Sequence, residues 1–170
     1  RPGFGWYYLL SKGLEDIFIS KLDSSGDFVW ARSMGGTAGD FGEGIAVDSA
    51  GNAYITGYYR ETADFDPGQE TLNLPSHGLE DIFVSVLDSS GNLAWARSMG
   101  GTANDNGFGI AVDFSGNVST TGTFQETVDF DPGPGTFNLV SEGSSDIFIS
   151  KLAGHFPWLI YYPAFIRSTP

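Results

Sequence analysis

The chain has 170 residues, of which 41% are hydrophobic and 15% aromatic, a composition too apolar for a disordered segment. Its formal net charge of −13 argues against nucleic acid and anionic membranes as partners; it suits either hard cations or a plainly solvated acidic surface. The lack of cysteine excludes disulfides and thiolate chemistry, and no apolar run is long enough for membrane insertion as a helix.

A unit of 65 residues occurs twice in succession and begins a third time. Repeat 1 spans residues 13–77 and repeat 2 spans residues 78–142, and 43 of the 65 aligned positions are identical. Residues 1–12 align with the tail of a preceding repeat, residues 143–152 start repeat 3, and residues 153–170 form a divergent C-terminal tail. Repeats of fixed period indicate units that bury their apolar faces against like neighbours. We therefore expect a single repeat module.

Each repeat alternates apolar and polar residues between clusters of Gly, Asp, Asn and Ser, which predicts short antiparallel strands and essentially no helix. The expected strands are 16–22, 28–34, 44–48 and 53–59 in repeat 1, and 81–87, 93–99, 109–113 and 118–124 in repeat 2. The Gly35-Gly36 pair is expected to break the chain between the second and third strands.

Four short strands per unit are typical of a β-propeller blade. The innermost strand of a blade borders a narrow channel, which favours a short strand of small residues such as 44–48. The order outward is then 44–48, 53–59, 81–87 and 93–99, so a blade is offset from the 65-residue unit. The chain would hold two outer strands of one blade, one complete blade, and a second blade whose fourth strand is expected at residues 158–162.

The pattern DIFxSKLDSSGxxxWARSMGG…GxGIAVDxxGNxxxTG…VDFDPG, over residues 13–152, resembles the bacterial β-propeller repeat called SBBP. The resemblance implies an all-β fold of four-stranded antiparallel blades in secreted or surface-exposed bacterial proteins, usually without assigned catalysis. About two and a half blades are fewer than the four to eight that close a ring. We therefore expect self-association or further propeller blades, and a structural or protein-interaction role.

Candidate metal ligands are the paired aspartates of the Asp-Phe-Asp-Pro-Gly loops, Asp64 with Asp66 and Asp129 with Asp131. Residues two apart in an extended segment project to the same side, as carboxylates around Ca²⁺ must. The alternative is a structural turn in which the second aspartate accepts backbone amide bonds. Bound Ca²⁺ would make a lectin-like or adhesive module the alternative function.

One tryptophan and one arginine recur per unit, in Trp30-Ala31-Arg32 and Trp95-Ala96-Arg97. Such pairs could stack on a glycan ligand, but large aromatics facing small residues more simply pack one blade on the next. We expect Trp30 and Trp95 to be buried equivalents. Two further aspartates, Asp40 and Asp105, either line a central site or cap a turn between blades.

Little in the sequence predicts catalysis. The two histidines, His77 and His155, are not repeated, and no nucleophile motif or phosphate loop appears. Carboxylate pairs of the kind that glycosidases use are abundant, which leaves a hydrolase as a third possibility. Near-identical repeats seldom contain one asymmetric catalytic site, so we expect no enzymatic activity and no cofactor other than Ca²⁺.

Overall fold

A computed structural model describes residues 6–154, which form antiparallel strands and no helix. In chain order these strands are β1 (Ile17–Leu22), β2 (Phe28–Gly36), β3 (Phe41–Val47), β4 (Ala53–Tyr59), β5 (Thr62–Asp64), β6 (Asn73–Pro75), β7 (Asp81–Leu87), β8 (Leu93–Gly101), β9 (Asn106–Val112), β10 (Val118–Phe124), β11 (Thr127–Asp129), β12 (Asn138–Val140) and β13 (Asp146–Leu152). The all-β antiparallel prediction is confirmed.

The central blade consists of β3, β4, β7 and β8, hydrogen-bonded in the order that the sequence predicts. All three pairings within it are antiparallel, and β4 matches β7 without a bulge over seven residues. The turn glycines Gly51 and Gly91 have φ values of 82° and 81°, a region that favours glycine. The innermost predicted strand is longer than expected, because β3 begins at Phe41.

Two incomplete blades flank the central one within the described range. In the first blade β1 pairs with β2, and in the third blade β10 lies between β9 and β13. The strand expected at residues 158–162 lies outside the described residues. The half-repeat offset between blade and sequence unit is thus present in the fold, since repeat 1 contributes strands to two blades.

The Gly35-Gly36 pair does not interrupt strand β2, contrary to the prediction. β2 runs through it and pairs with the short strand β5, which forms a hairpin with β6; neither strand was predicted. A Cβ on Gly36 would lie 2.2 Å from the Thr62 carbonyl oxygen, so glycine allows the two backbones to approach. In repeat 2, Gly101 has the same role towards Thr127 at 2.1 Å. The hairpin that follows β4 of one blade therefore extends the outer strand of the preceding blade.

The hydrophobic core lies between blades. One buried cluster joins the first and central blades, and a second joins the central and third blades. On β7, Phe83 and Leu87 enter the first cluster, whereas Ile82, Val84 and Val86 enter the second. Each large side chain contributes about 1.5–3 kcal/mol when fully buried. Every residue of β7 is buried, because the central blade is covered on both faces.

The phenylalanine of the Asp-Phe-Asp-Pro-Gly loop belongs to these cores. Phe65 is fully buried and contacts Tyr59 edge-on at 5.2 Å and Phe83 at 5.0 Å between ring centroids. In repeat 2, Phe130 makes the equivalent two contacts at 5.3 and 5.0 Å. The loop is thus fixed to the blade by its aromatic residue.

Trp30 and Arg32 of the first blade hold the β7–β8 turn of the central blade. The Trp30 indole donates to the Ser89 carbonyl at 3.2 Å, and Arg32 Nε donates to the Gly91 carbonyl at 2.8 Å. Trp30 is 7% exposed, as predicted, but its equivalent Trp95 is only half-buried, so the prediction of buried equivalents is wrong for Trp95. At Trp30 the packing interpretation therefore holds, because the indole N–H and the Arg32 guanidinium, which a sugar would contact, already bind the neighbouring blade.

Gly91→Ala and Gly26→Ala test this contact as a matched pair. The two glycines occupy equivalent turns of repeats 1 and 2, each with φ near 80°. A Cβ on Gly91 would lie 2.9 Å from the Trp30 ring, whereas a Cβ on Gly26 would meet open space. We expect Gly26→Ala to cost about 1–2 kcal/mol from backbone strain alone. Gly91→Ala should cost roughly 1–3 kcal/mol more from the steric conflict. Urea unfolding measures both, and equal losses would contradict the contact.

Candidate functional site

The predicted calcium ligands of repeat 1 lie in a loop that their own carboxylates close. Asp64 Oδ1 accepts hydrogen bonds from the backbone amides of Asp66 and Leu72, both at 3.0 Å. Asp66 Oδ1 accepts from the Gly68 amide at 2.7 Å. These are the bonds of an aspartate-stabilised turn. One oxygen of each carboxylate is therefore already engaged by backbone.

Repeat 2 builds the same loop, with one difference in its surroundings. Asp129 Oδ1 accepts from the Asp131 amide at 3.0 Å and from Phe137 at 2.7 Å, as in repeat 1. In repeat 1, Asp64 also forms an ion pair with Lys12, whose Nζ lies 2.8 Å from Asp64 Oδ2, whereas repeat 2 has His77 at the position of Lys12. Partial burial opposes ionisation of Asp64, but the Lys12 ammonium and two amides lower its pKa below the usual value. The two loops therefore differ as cation sites.

Calcium binding remains a prediction for both loops. Within residues 6–154, no group of three or more His, Cys, Asp or Glu side chains is arranged to hold a metal ion. A bound Ca²⁺ would need further oxygens from backbone or water, which its flexible coordination allows.

The same described range contains no helix of the length and apolarity needed to cross a membrane.

Asp40 and Asp105 cap the junction between blades. Asp40 is buried; its Oδ2 accepts from the Gly36 amide at 2.7 Å and its Oδ1 from the Arg60 amide at 3.2 Å. Asp105 makes the corresponding bonds at 2.8 and 3.0 Å. Gly36 ends the outer strand of the first blade and Arg60 follows β4 of the central blade. Of the two roles left open by the sequence, the geometry therefore supports the cap.

A second carboxyl group lies near each cap: the half-buried Asp16 near Asp40, and the fully buried Asp81 near Asp105. Asp81 is 0% exposed; its Oδ2 accepts from the His77 amide at 3.0 Å and lies 2.8 Å from His77 Nδ1. Its Oδ1 has no hydrogen-bond partner, and the same holds for Asp16 Oδ1. Burial, and to a lesser extent the nearby Asp81, raises the pKa of Asp105 to about 6. Each repeat thus brings two acidic side chains close together, and in repeat 2 both are fully buried.

A group of aromatic and charged side chains lies where β3 begins and β4 ends, and sequence reasoning missed it. We call it the Tyr58 cluster; its members are Glu15, Phe41, Glu43, Tyr58, Arg60 and Glu80. The rings of Phe41 and Tyr58 stack at 5.0 Å with an angle of 24° between their planes. Arg60 forms an ion pair with Glu80, whose other oxygen accepts from Asn106 Nδ2 at 2.9 Å.

The Tyr58 cluster carries more negative than positive charge. Burial raises the pKa of Tyr58 above its usual value, and the carboxylates of Glu80 and Glu43 raise it further.

The sequence signal that would have found the cluster is divergence between the two repeats. Repeat 2 has Asn106 and Thr123 at the positions of Phe41 and Tyr58.

Comparison with known proteins confirms the resemblance to the SBBP repeat over part of the chain. Residues 29–58 match the family model described as a beta-propeller repeat, SBBP. This segment runs from β2 of the first blade to β4 of the central blade, so the family pattern crosses a blade boundary.

Two longer proteins are similar to this chain. Regulatory protein FlaEY of Caulobacter vibrioides is 27% identical over 142 residues, which cover 84% of this chain and 14% of that protein. The uncharacterized WD repeat-containing protein L264 of Acanthamoeba polyphaga mimivirus is 26% identical over 120 residues, which cover 62% of this chain and 9% of that protein. The chain thus spans only a small part of the relatives that it matches.

Asp105→Asn tests the buried acid pair through the pH dependence of stability. The folded protein holds the Asp105 proton more tightly than the unfolded chain. The contribution of protonated Asp105 to the free energy of unfolding is therefore complete below pH 3.8 and is lost as pH rises through about 6. The stability of Asp105→Asn relative to wild type should therefore rise by at most about 3 kcal/mol between pH 4 and pH 8. Urea unfolding across this range measures it, with the exposed Asp27→Asn as a control. Parallel curves for wild type and Asp105→Asn would contradict the buried pair.

Calcium titration tests the aspartate loops. If both bind, calorimetry should report two sites per chain, with the weaker site in repeat 1, because Ca²⁺ must displace Lys12 there. Asp131→Asn should then remove the tighter site and Lys12→Ala should strengthen the weaker one. Titration without heat or thermal shift in millimolar Ca²⁺ would leave only the turn interpretation.

Proposed function

We propose that this chain is a non-catalytic β-propeller module with a structural or protein-interaction role, in a secreted or surface-exposed bacterial protein. The observation that carries the proposal is how the identical residues of the repeats are used. Trp30, Asp40 and Phe65 all make contacts that join one blade or hairpin to another. These identical residues thus serve the scaffold, and ligand contacts would fall to the positions that vary.

The buried carboxyl groups also support a non-catalytic module. Glycosidases place two carboxyl groups on either side of a substrate bond. Asp81 and Asp105 are both fully buried, and Asp105 accepts two backbone amide bonds. A substrate would have to displace a blade to reach them.

The names of the two relatives fit an interaction role. One relative is called a regulatory protein and the other a WD repeat-containing protein. Both are much longer than the matched segment, so the module would work as one part of a larger assembly of blades.

The partners we propose first are further blades, from the same protein or from a second copy of this chain. Within the described range, β1 pairs only with β2 and β13 only with β10. Phe18 on β1 is 70% exposed and Ile147 on β13 is 69% exposed. A strand with one free edge and an apolar exposed face is a site for pairing with another strand.

Light scattering tests self-association of this chain. We expect a mass above that of the monomer at micromolar concentration, because joining blades covers the β1 and β13 edges. Phe18→Ser and Ile147→Ser should lower the mass towards monomer, while Phe114→Ser, at an exposed residue of the β9–β10 turn outside both strands, serves as the control. A stable wild-type monomer would contradict self-association.

A Ca²⁺-dependent lectin-like or adhesive module is the second candidate. Its favouring observation is that each loop brings two aspartates into one turn, linked through the amide of the second. The calcium titration described above decides between this candidate and a purely structural loop.

A further inference from the structure

We propose that the Tyr58 cluster binds a basic segment of a partner protein, with a lysine or arginine side chain seated against the Phe41–Tyr58 ring pair. This inference rests on the proposed interaction role and identifies a surface for it. The cluster lies at one end of the central blade, where the paired strands β3 and β4 place Phe41 opposite Tyr58.

The cluster is not needed to build a blade. Repeat 2 forms β9 and β10 in the same arrangement as β3 and β4, although the aromatic pair is replaced by Asn106 and Thr123. Arg60 and Glu43 are likewise replaced, by Gln125 and Phe108. Since two thirds of the aligned positions are identical, the loss of four neighbouring side chains together indicates a requirement specific to repeat 1.

The ring pair provides a suitable contact for a cation. Both rings are half-buried, so each keeps an exposed portion at the surface. The negative face of an aromatic ring attracts lysine or arginine by about 0.5–2 kcal/mol. Half-buried aromatic residues with fixed positions are also the usual centres of protein–protein contacts.

The charges around the rings select a basic partner. A Cβ on Gly39 would lie 3.0 Å from both Glu15 Oε2 and the Phe41 ring, so the Glu15 carboxylate lies beside that ring. The carboxylates of Glu43 and Glu80 lie close enough to Tyr58 to raise its pKa. The one cation of the cluster, Arg60, already forms an ion pair with Glu80. Carboxylates therefore outnumber the cation by three to one. A neutral sugar could stack on the rings and donate hydrogen bonds to the carboxylates, but only a basic side chain is also attracted by the net negative charge.

Fluorescence anisotropy with labelled hexa-lysine and hexa-arginine peptides tests the site on the full chain. The decisive variants are Phe41→Asn and Tyr58→Thr, which introduce the residues of repeat 2 and leave the net charge unchanged. We expect each to weaken peptide binding about 3- to 30-fold. Asp27→Asn removes one negative charge at a distant turn and also copies repeat 2, so it should change the affinity less than twofold. Thermal melting checks that every variant is folded.

Unchanged affinity in Tyr58→Thr would overturn the proposal, because the attraction would then come from the net charge alone. Binding of a neutral oligosaccharide that is lost in Tyr58→Thr, without peptide binding, would overturn it in favour of a sugar site. Absence of peptide binding in a chain that still self-associates would reject this surface and leave the proposed module role standing.

Discussion

Burial between neighbouring blades is the interaction on which the rest of this structure depends. Both described cores join residues of two blades, and the central strand β7 sends alternate side chains to one core and to the other. A single blade therefore has two apolar faces to cover and cannot cover either by itself. The offset between sequence unit and blade follows the same requirement, since each 65-residue unit supplies strands to two blades and links them covalently.

Most of the identity between the repeats is explained by this junction. Trp30 contacts the next blade, the Asp40 carboxylate joins two blades, and Gly36 lets the following hairpin pair with the outer strand. These residue types also occur in binding and catalytic sites, which is why sequence alone left sugar, metal and hydrolase interpretations open. The positions that differ, of which Tyr58 is the centre of one group, are where the proposed interaction role places partner contacts.

The eight strands, their order and the blade offset could be predicted, because period-two alternation and turn residues recur at matching places. The β5–β6 hairpin could not, since strands of three residues carry no periodicity. In the sequence, Gly35-Gly36 resembles the end of a strand, whereas the glycines are there to allow close approach to β5, with which they pair 27 and 29 residues later. The Tyr58 cluster depends on the register of β3 with β4, which brings together side chains seventeen positions apart. The role of Asp40 depends on which amides meet its carboxylate, and no local pattern reports that.

Hydrogen exchange of backbone amides tests the central claim most directly. If blade-to-blade burial holds the fold together, the amides of β4 and β7 should be the slowest to exchange and should open together, because they lie in the blade that is covered on both faces. Under conditions in which the chain is monomeric, amides of β1 and β13 should exchange faster, although β1 and β7 occupy the same place in the repeat. Equal protection at these equivalent positions would show that each 65-residue unit is stable by itself, and would contradict the account.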